Sequence, residues 1–150
     1  MSASDQRVQS TEALVHHGEP IIDRKSTFQA HFAACLSHDD VRLFISVLNS
    51  NNKIARASHN IMAFRVITAS GNVHSDCDDD GESGAGARLL HLLDILGVKN
   101  VCVVVSRWYG GVHLGPDRFR HINNAARQLL AQHGFSEQQM EAKKGGKKGK

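Results

Sequence analysis

The chain has 150 residues, of which 41% are hydrophobic and 22% are charged, the balance of a globular domain rather than of a disordered segment. Its formal net charge is +3, but the last ten residues alone carry five Lys and one Glu. Without them, 13 Lys and Arg stand against 14 Asp and Glu, so the rest of the chain is near neutral, and its length predicts one domain.

The composition of the termini and the cysteines indicate a cytoplasmic protein. No apolar run approaches the length of a membrane span, and the polar N-terminus has no apolar signal region. Cys35 and Cys102 lie in apolar, strand-like runs, so we expect both thiols to be reduced, buried and inert. We expect a flexible leader over residues 1–17, a domain over 18–135 and a disordered Lys-rich tail over 136–150.

The first half of the domain predicts two strands joined by a helix. Apolar residues alternate along Ser26–Leu36, which indicates a half-buried strand, with a further short strand possible near Ile21. Ser37 is placed to cap a helix that ends near Asn49. A second strand over about Asn60–Thr68 is apolar on both faces, which places it inside a sheet.

The second half predicts a short strand at Val73–Ser75, the acidic loop Asp76–Glu82 and a helix to about Leu96. The unbroken apolar run Val101–Val105 indicates a central strand buried on both faces, and a last helix begins at Pro116. This β-α-β-β-α-β-α order predicts a two-layer α/β sandwich with a mixed sheet.

The acidic loop has two interpretations. It opens with the D-x-D-x-D-G pattern of an EF-hand, but position twelve is Ala87 instead of the required Glu, which excludes that site. A looser Mg²⁺ or Mn²⁺ site on Asp80 and Glu82 stays open, as does a solvated loop whose acids favour the N-terminus of the next helix. Gly84 and Gly86 predict that another backbone or a ligand comes close there.

Arg107, Trp108 and Tyr109 follow the central strand, where α/β layers often form a binding crevice. Glycine-rich backbone beside Arg107 could hold a phosphate, and the two aromatic side chains could stack on bases or bind a protein. Alternatively, the aromatic residues pack and the glycines only permit a turn. We expect no metal, no cofactor and no catalytic set. The candidate contact surface comprises His59, Asp80, Glu82, Arg107, Trp108, Tyr109, Gly110 and Gly111.

The basic tail predicts either weak, non-specific nucleic-acid contact or a solvated segment. Its lysines are Lys143, Lys144, Lys147, Lys148 and Lys150.

Four stretches together resemble a known family. Gly86–Gly115 reads GARLLHLLDILGVKNVCVVVSRWYGGVHLG, Ser58–Arg65 reads SHNIMAFR, Asp80–Glu82 reads DGE, and Leu114–Leu130 reads LGPDRFRHINNAARQLL. Over roughly residues 18–133 the chain resembles the IMPACT family, which includes Yih and YigZ-like proteins, and it looks closest to the eukaryotic IMPACT branch.

The resemblance implies the α/β fold of the second domain of small-subunit ribosomal protein five. It also implies a translational regulator that restrains the amino-acid-starvation kinase acting on initiation factor two, by competing for the kinase's ribosome-associated activator, with ribosomes and actin monomers as further partners. The eukaryotic proteins pair a C-terminal ancient domain with an N-terminal RWD domain. About 18 residues precede the shared part here, so we expect the ancient domain without the RWD domain, either as a fragment of a longer protein or as a protein that works without that domain. The alternatives are an RNA-binding module and a small metal- or phosphate-dependent enzyme.

Overall fold

The computed structural model describes residues 14–135, so most of the expected leader and the whole Lys-rich tail lie outside the described residues. Within residues 14–135, six strands and four helices form an α/β structure, whose sheet begins at His16, just before residue 18. The elements are β1 His16–His17, β2 Ile21–Asp23, β3 Ser26–Ala34, α1 His38–Asn49, α2 Asn52–Ala55, β4 His59–Ile67, β5 Val73–Asp78, α3 Ala85–Leu96, β6 Val101–Trp108 and α4 Asp117–Gln132.

The strand order is β1-β3-β6-β4-β5, with β2 also paired to β3, and every pairing is antiparallel. The prediction of a mixed sheet is therefore wrong. The helical connection after β3 does lead to a strand, β4, that runs in the same direction as β3, and strands of one direction need such a crossover connection. However, β6 lies between β3 and β4 and runs opposite to both, so no parallel pair forms.

The α/β sandwich is confirmed, and helices cover both faces of its sheet. Alternate residues of β6 point to opposite faces. Val103 and Val105 pack against α3 and α4, while Cys102 and Val104 pack against α1 on the other side. The prediction of a buried central strand is confirmed, because all of Val101–Arg107 is buried. The helix α1 with α2 therefore adds a layer to the expected two.

Local signals for helix ends and close approaches are confirmed. The Ser37 hydroxyl accepts the Asp40 N–H at 3.2 Å and caps α1, and Gly97 ends α3 with φ +65°. A Cβ on Gly86 would lie 3.0 Å from the Asp78 backbone, so this glycine permits the expected close approach. None of the helices between residues 14 and 135 is long and apolar enough to cross a membrane.

The cysteines agree with the prediction. Cys35 and Cys102 are buried free thiols on the α1 face of the sheet. Burial raises the pKa of Cys35 to about 12 and that of Cys102 well above its ordinary value, which keeps both protonated and unreactive.

Candidate functional site

Arg107 and Trp108 lie on opposite faces of the sheet. The strand β6 continues to Trp108, beyond the expected end at Val105, so strand alternation separates the two neighbours. Arg107 pairs with Glu82 and lies over the Phe28 ring on the face that α3 and α4 cover. The Trp108 indole N–H instead donates to the Lys53 carbonyl of α2 at 3.0 Å. The expectation that these side chains emerge together in one loop is therefore wrong.

The acidic loop is organised by the capping of α3. The carboxylate of Asp79 accepts the N–H groups of Gly84, at 3.1 Å, and Gly86, at 2.6 Å. A carboxylate at a helix N-terminus satisfies free backbone donors and interacts favourably with the helix dipole. This arrangement agrees with the second interpretation of the acidic loop, in which its acids support the helix.

Glu82 is the buried centre of an ion-paired cluster. The loop between β5 and α3 directs its side chain under α4, where the residue is 6% exposed. Its Oε2 lies 2.5 Å from Nη1 of Arg107, and its Oε1 lies 2.9 Å from Nε of Arg118. Two guanidinium groups thus share one carboxylate, which compensates the burial of Glu82 and leaves one positive charge in surplus.

His59 joins this cluster through its ring, whereas the Asp80 side chain turns away. The Nδ1 of His59 lies 2.8 Å from the Asp80 carbonyl, and because a carbonyl only accepts, Nδ1 carries the proton. The other nitrogen, Nε2, faces Oε2 of Glu82 at 3.8 Å. The Asp80 carboxylate accepts the N–H of Asn60 at 2.7 Å and lines a separate cavity of about 240 Å³ against α1.

Two serine hydroxyls anchor the glycine loop after β6. Ser58 accepts the N–H of Tyr109 at 2.9 Å, and Ser26 accepts the N–H of Gly110 at 3.2 Å. A side chain at Gly110 would overlap the backbone of Lys25, and Gly111 has φ +91°. These glycines allow the path of the loop, and neither lines the crevice described next.

An open crevice of about 480 Å³ lies at the end of β6, between the acidic loop and the start of α4. It brings together four of the eight predicted residues, and it adds others that the sequence analysis did not select, above all Arg118 and His113. Arg118 follows Pro116 in the first turn of a helix, where a charged side chain ordinarily faces solvent, so no sequence signal marks it. The lining residues are His59, Gly81, Glu82, Ser83, Arg107, Tyr109, His113, Leu114, Gly115 and Arg118.

The geometry favours recognition of an anionic or polar group. Both Glu82 oxygens are engaged by guanidinium groups, and Asp80 faces another cavity, so these carboxylates do not converge on a cation. Within residues 14–135 no group of three or more His, Cys, Asp or Glu side chains is placed to hold a metal ion. The crevice instead presents arginine beside the exposed aromatic ring of Tyr109.

Fold and crevice together define an α/β sandwich domain with an arginine-lined polar crevice at the end of its central strand. The family model described as the Impact N-terminal domain matches residues 24–130, which is most of the chain. The chain belongs to the IMPACT family.

Individual relatives agree with this assignment. Protein IMPACT-B of Xenopus tropicalis is 54% identical over 138 residues, which cover 91% of this chain and 44% of that protein. The structure of the two-domain translational regulator Yih1 is similar over 81% of this chain and 48% of its own, with 43% identity and a TM-score of 0.60. A crystal structure of a hypothetical protein shares the fold at 24% identity, with a TM-score of 0.68 over 77% of this chain and 56% of its own. The chain spans less than half the length of the curated IMPACT proteins it matches.

Proposed function

We propose that this chain is a translation-regulatory binding domain that acts through protein contacts at the crevice. The observation that carries the proposal is its likeness to Yih1, a translational regulator, at 43% identity over 81% of the chain. In detail, it restrains the amino-acid-starvation kinase acting on initiation factor two by competing for the kinase's ribosome-associated activator. Ribosomes and actin monomers are further partners, and the site of action is the cytoplasm.

The contacts within the crevice support binding rather than catalysis. The buried carboxylate of Glu82 is held by Arg107 and Arg118, so it is not free to act as a general base. His59 donates its Nδ1–H to the Asp80 carbonyl, and within residues 14–135 no nucleophilic side chain forms a hydrogen bond with its ring. The alternative of an enzyme using His59, Asp80, Glu82 and Arg107 receives no support from this arrangement.

The alternative of an RNA-binding module loses one of its motivations, while the Lys-rich tail that also motivates it lies outside the described residues. The lost motivation is a single platform on which Trp108 and Tyr109 together stack with bases. Trp108 instead packs near α2 with its N–H bound to Lys53, on the opposite face from the crevice. The Tyr109 ring is 44% exposed and lies beside an arginine, and tyrosine together with arginine is typical of protein interfaces.

The proposal is tested in an extract from amino-acid-starved cells that contains the kinase and its activator. Purified chain is added in increasing amounts, and the phosphorylation of initiation factor two is measured. We expect a concentration-dependent decrease, together with recovery of the activator on immobilised chain. Kinase assayed without the activator serves as the control and should be unaffected. Phosphorylation that stays constant at saturating chain concentrations contradicts the proposal.

A further inference from the structure

The crevice has an excess of positive charge that the described residues do not neutralise. Arg107 and Arg118 share the single carboxylate of Glu82. Asp117, the acid in the first turn of α4, is already paired with Arg24 at 2.7 Å and with Arg120 at 3.4 Å. The two arginines and the one glutamate that line the crevice therefore carry one net positive charge.

Hydrogen-bond donors on both guanidinium groups are unused within residues 14–135. Arg118 donates through Nε to Glu82 and through Nη1 to the Gly115 carbonyl at 2.6 Å, which leaves Nη2 available. Arg118 also lies over the Phe119 ring at 4.2 Å, so its orientation is fixed before any ligand arrives. The Nε of Arg107 is buried without a partner, and this residue is 96% buried, being 4% exposed. Unpaired buried donors of this kind are uncommon in folded proteins.

The rim of the crevice carries an exposed aromatic side chain. Tyr109 is 44% exposed, and the ring of His113, which also lines the crevice, lies 5.8 Å from the Tyr109 ring. Tyrosine and arginine are enriched among the residues that contribute most binding energy at protein interfaces. A preorganised guanidinium next to such a rim matches a partner that offers a carboxylate and an apolar side chain close together.

We propose that the crevice binds an acidic segment of a protein partner, with one Asp or Glu carboxylate on Arg118 and a neighbouring apolar side chain on Tyr109. The inference rests on the proposed function, because it assigns the chemistry by which the binding domain recognises its partner. The carboxylate accepts hydrogen bonds from Nη2 of Arg118, at the edge of the guanidinium that Glu82 and Gly115 leave open.

The test uses two pentapeptides as probes, both acetylated and amidated. One carries two glutamates flanking a phenylalanine, and the other carries glutamines in their place. Binding to the ¹⁵N-labelled chain is followed by amide chemical shifts. We expect the glutamate peptide to shift the amides of His113, Gly115 and Arg118 saturably and the glutamine peptide to leave them unchanged. Equal shifts with both peptides, or shifts located elsewhere, overturn the inference.

Two arginine variants provide the matched comparison. Arg118→Ala should weaken the glutamate peptide about tenfold or more, because a hydrogen-bonded charge pair is removed. Arg120→Ala should change affinity less than about twofold, because Arg120 is 62% exposed on the same helix and does not line the crevice. Arg118→Lys keeps the charge but lacks the planar guanidinium, so its affinity for the glutamate peptide should lie between those of the two alanine variants. The dispersion of the amide spectrum verifies that each variant is folded.

Two further probes separate other sources of an anion. Inorganic phosphate or a uridine octamer that shifts the same amides at lower concentrations than the peptide contradicts an acidic-segment site. Failure of this inference is distinguishable from failure of the proposed function. If the chain still lowers phosphorylation of initiation factor two but the glutamate peptide does not bind, only the crevice assignment fails. If the peptide binds and phosphorylation is unaffected, only the regulatory role fails.

Discussion

Glu82 and Arg107 form a buried ion pair, with 2.5 Å between Oε2 and Nη1 and side-chain exposures of 8% and 5%. Glu82→Gln keeps the shape but removes the charge that compensates two arginines. We expect the free energy of unfolding to fall by about 3–5 kcal/mol, because an uncompensated buried charge remains. Urea unfolding followed by Trp108 fluorescence measures the change.

An exposed ion pair serves as the control for this measurement. Asp39, whose side chain is 82% exposed, pairs with Arg42 on the surface of α1. Asp39→Asn should change the free energy of unfolding by less than about 1 kcal/mol, as exposed pairs do. If Glu82→Gln costs no more than Asp39→Asn, the buried pair does not contribute as described.

Gly86 is the second residue of α3, where helix propensity favours alanine but packing requires glycine. Replacing a helical glycine by alanine ordinarily stabilises a helix by up to about 1 kcal/mol. Here the added Cβ would lie 2.7 Å from Oδ1 of Asp79 and 3.0 Å from the Asp78 backbone. Gly86→Ala should therefore destabilise the protein, by roughly 1–3 kcal/mol as overpacking does. Thermal unfolding measures the effect.

The adjacent exposed position calibrates the propensity contribution. Ala87→Gly changes the same helix turn in the opposite direction and should cost about 1 kcal/mol by propensity alone. Helix propensity alone predicts opposite effects for the two substitutions. If both destabilise the protein, the contact of the added Cβ with Asp79 explains the effect of Gly86→Ala. A stabilised Gly86→Ala protein contradicts this account of the α3 start.

Trp108 and Tyr109 are neighbours in sequence but should differ in their effect on partner binding. Tyr109→Ala removes the exposed ring at the rim of the crevice and should weaken the glutamate peptide several-fold, by analogy with interface aromatics. Trp108→Phe removes the hydrogen bond to the Lys53 carbonyl and reduces the ring on the opposite face of the sheet, so it should leave peptide affinity unchanged. Chemical-shift titration of both variants measures the difference. Equal losses contradict the assignment of the two residues to opposite faces.

These neighbours also explain what could be predicted from the sequence. The alternation of β3, the cap at Ser37 and the apolar run at Val101 depend on local patterns, and each predicted its element correctly. The predicted end of β6 at Val105 was wrong, because Ser106 and Arg107 are polar residues of the kind that is usual in loops. Both are buried, since Asn60 and Glu82, both more than 20 residues away in the chain, provide their partners. Arg118 was not predicted for the same reason, because its partner Glu82 lies far from it in the chain.

His31 makes the stability of the fold depend on pH. It is buried on the α1 face, where its Nε2 lies 3.0 Å from the Ser106 hydroxyl and its Nδ1 lies 2.7 Å from Nδ1 of His17. Burial, with a smaller contribution from His17, lowers the pKa of His31 from 6.5 to about 3. Between these values the unfolded chain binds a proton that the folded chain does not, so stability falls as the pH decreases below 6.5.

The expected contribution of His31 is about 1.4 kcal/mol per pH unit in that window. The free energy of unfolding is measured between pH 7 and 4.5, where carboxylates contribute little. His31→Phe should lose most of the slope and retain a remainder from His16, whose pKa is also lowered by burial. An unchanged slope in His31→Phe contradicts the assignment.

We propose that this domain recognises its partner through the crevice at the end of β6. The most direct measurement is the recovery of the kinase activator from starved-cell extract on three immobilised proteins: the unmodified chain, Arg118→Ala and Arg120→Ala. We predict that Arg118→Ala loses most of the recovered activator and that Arg120→Ala retains it. Equal recovery on both folded variants would contradict the claim.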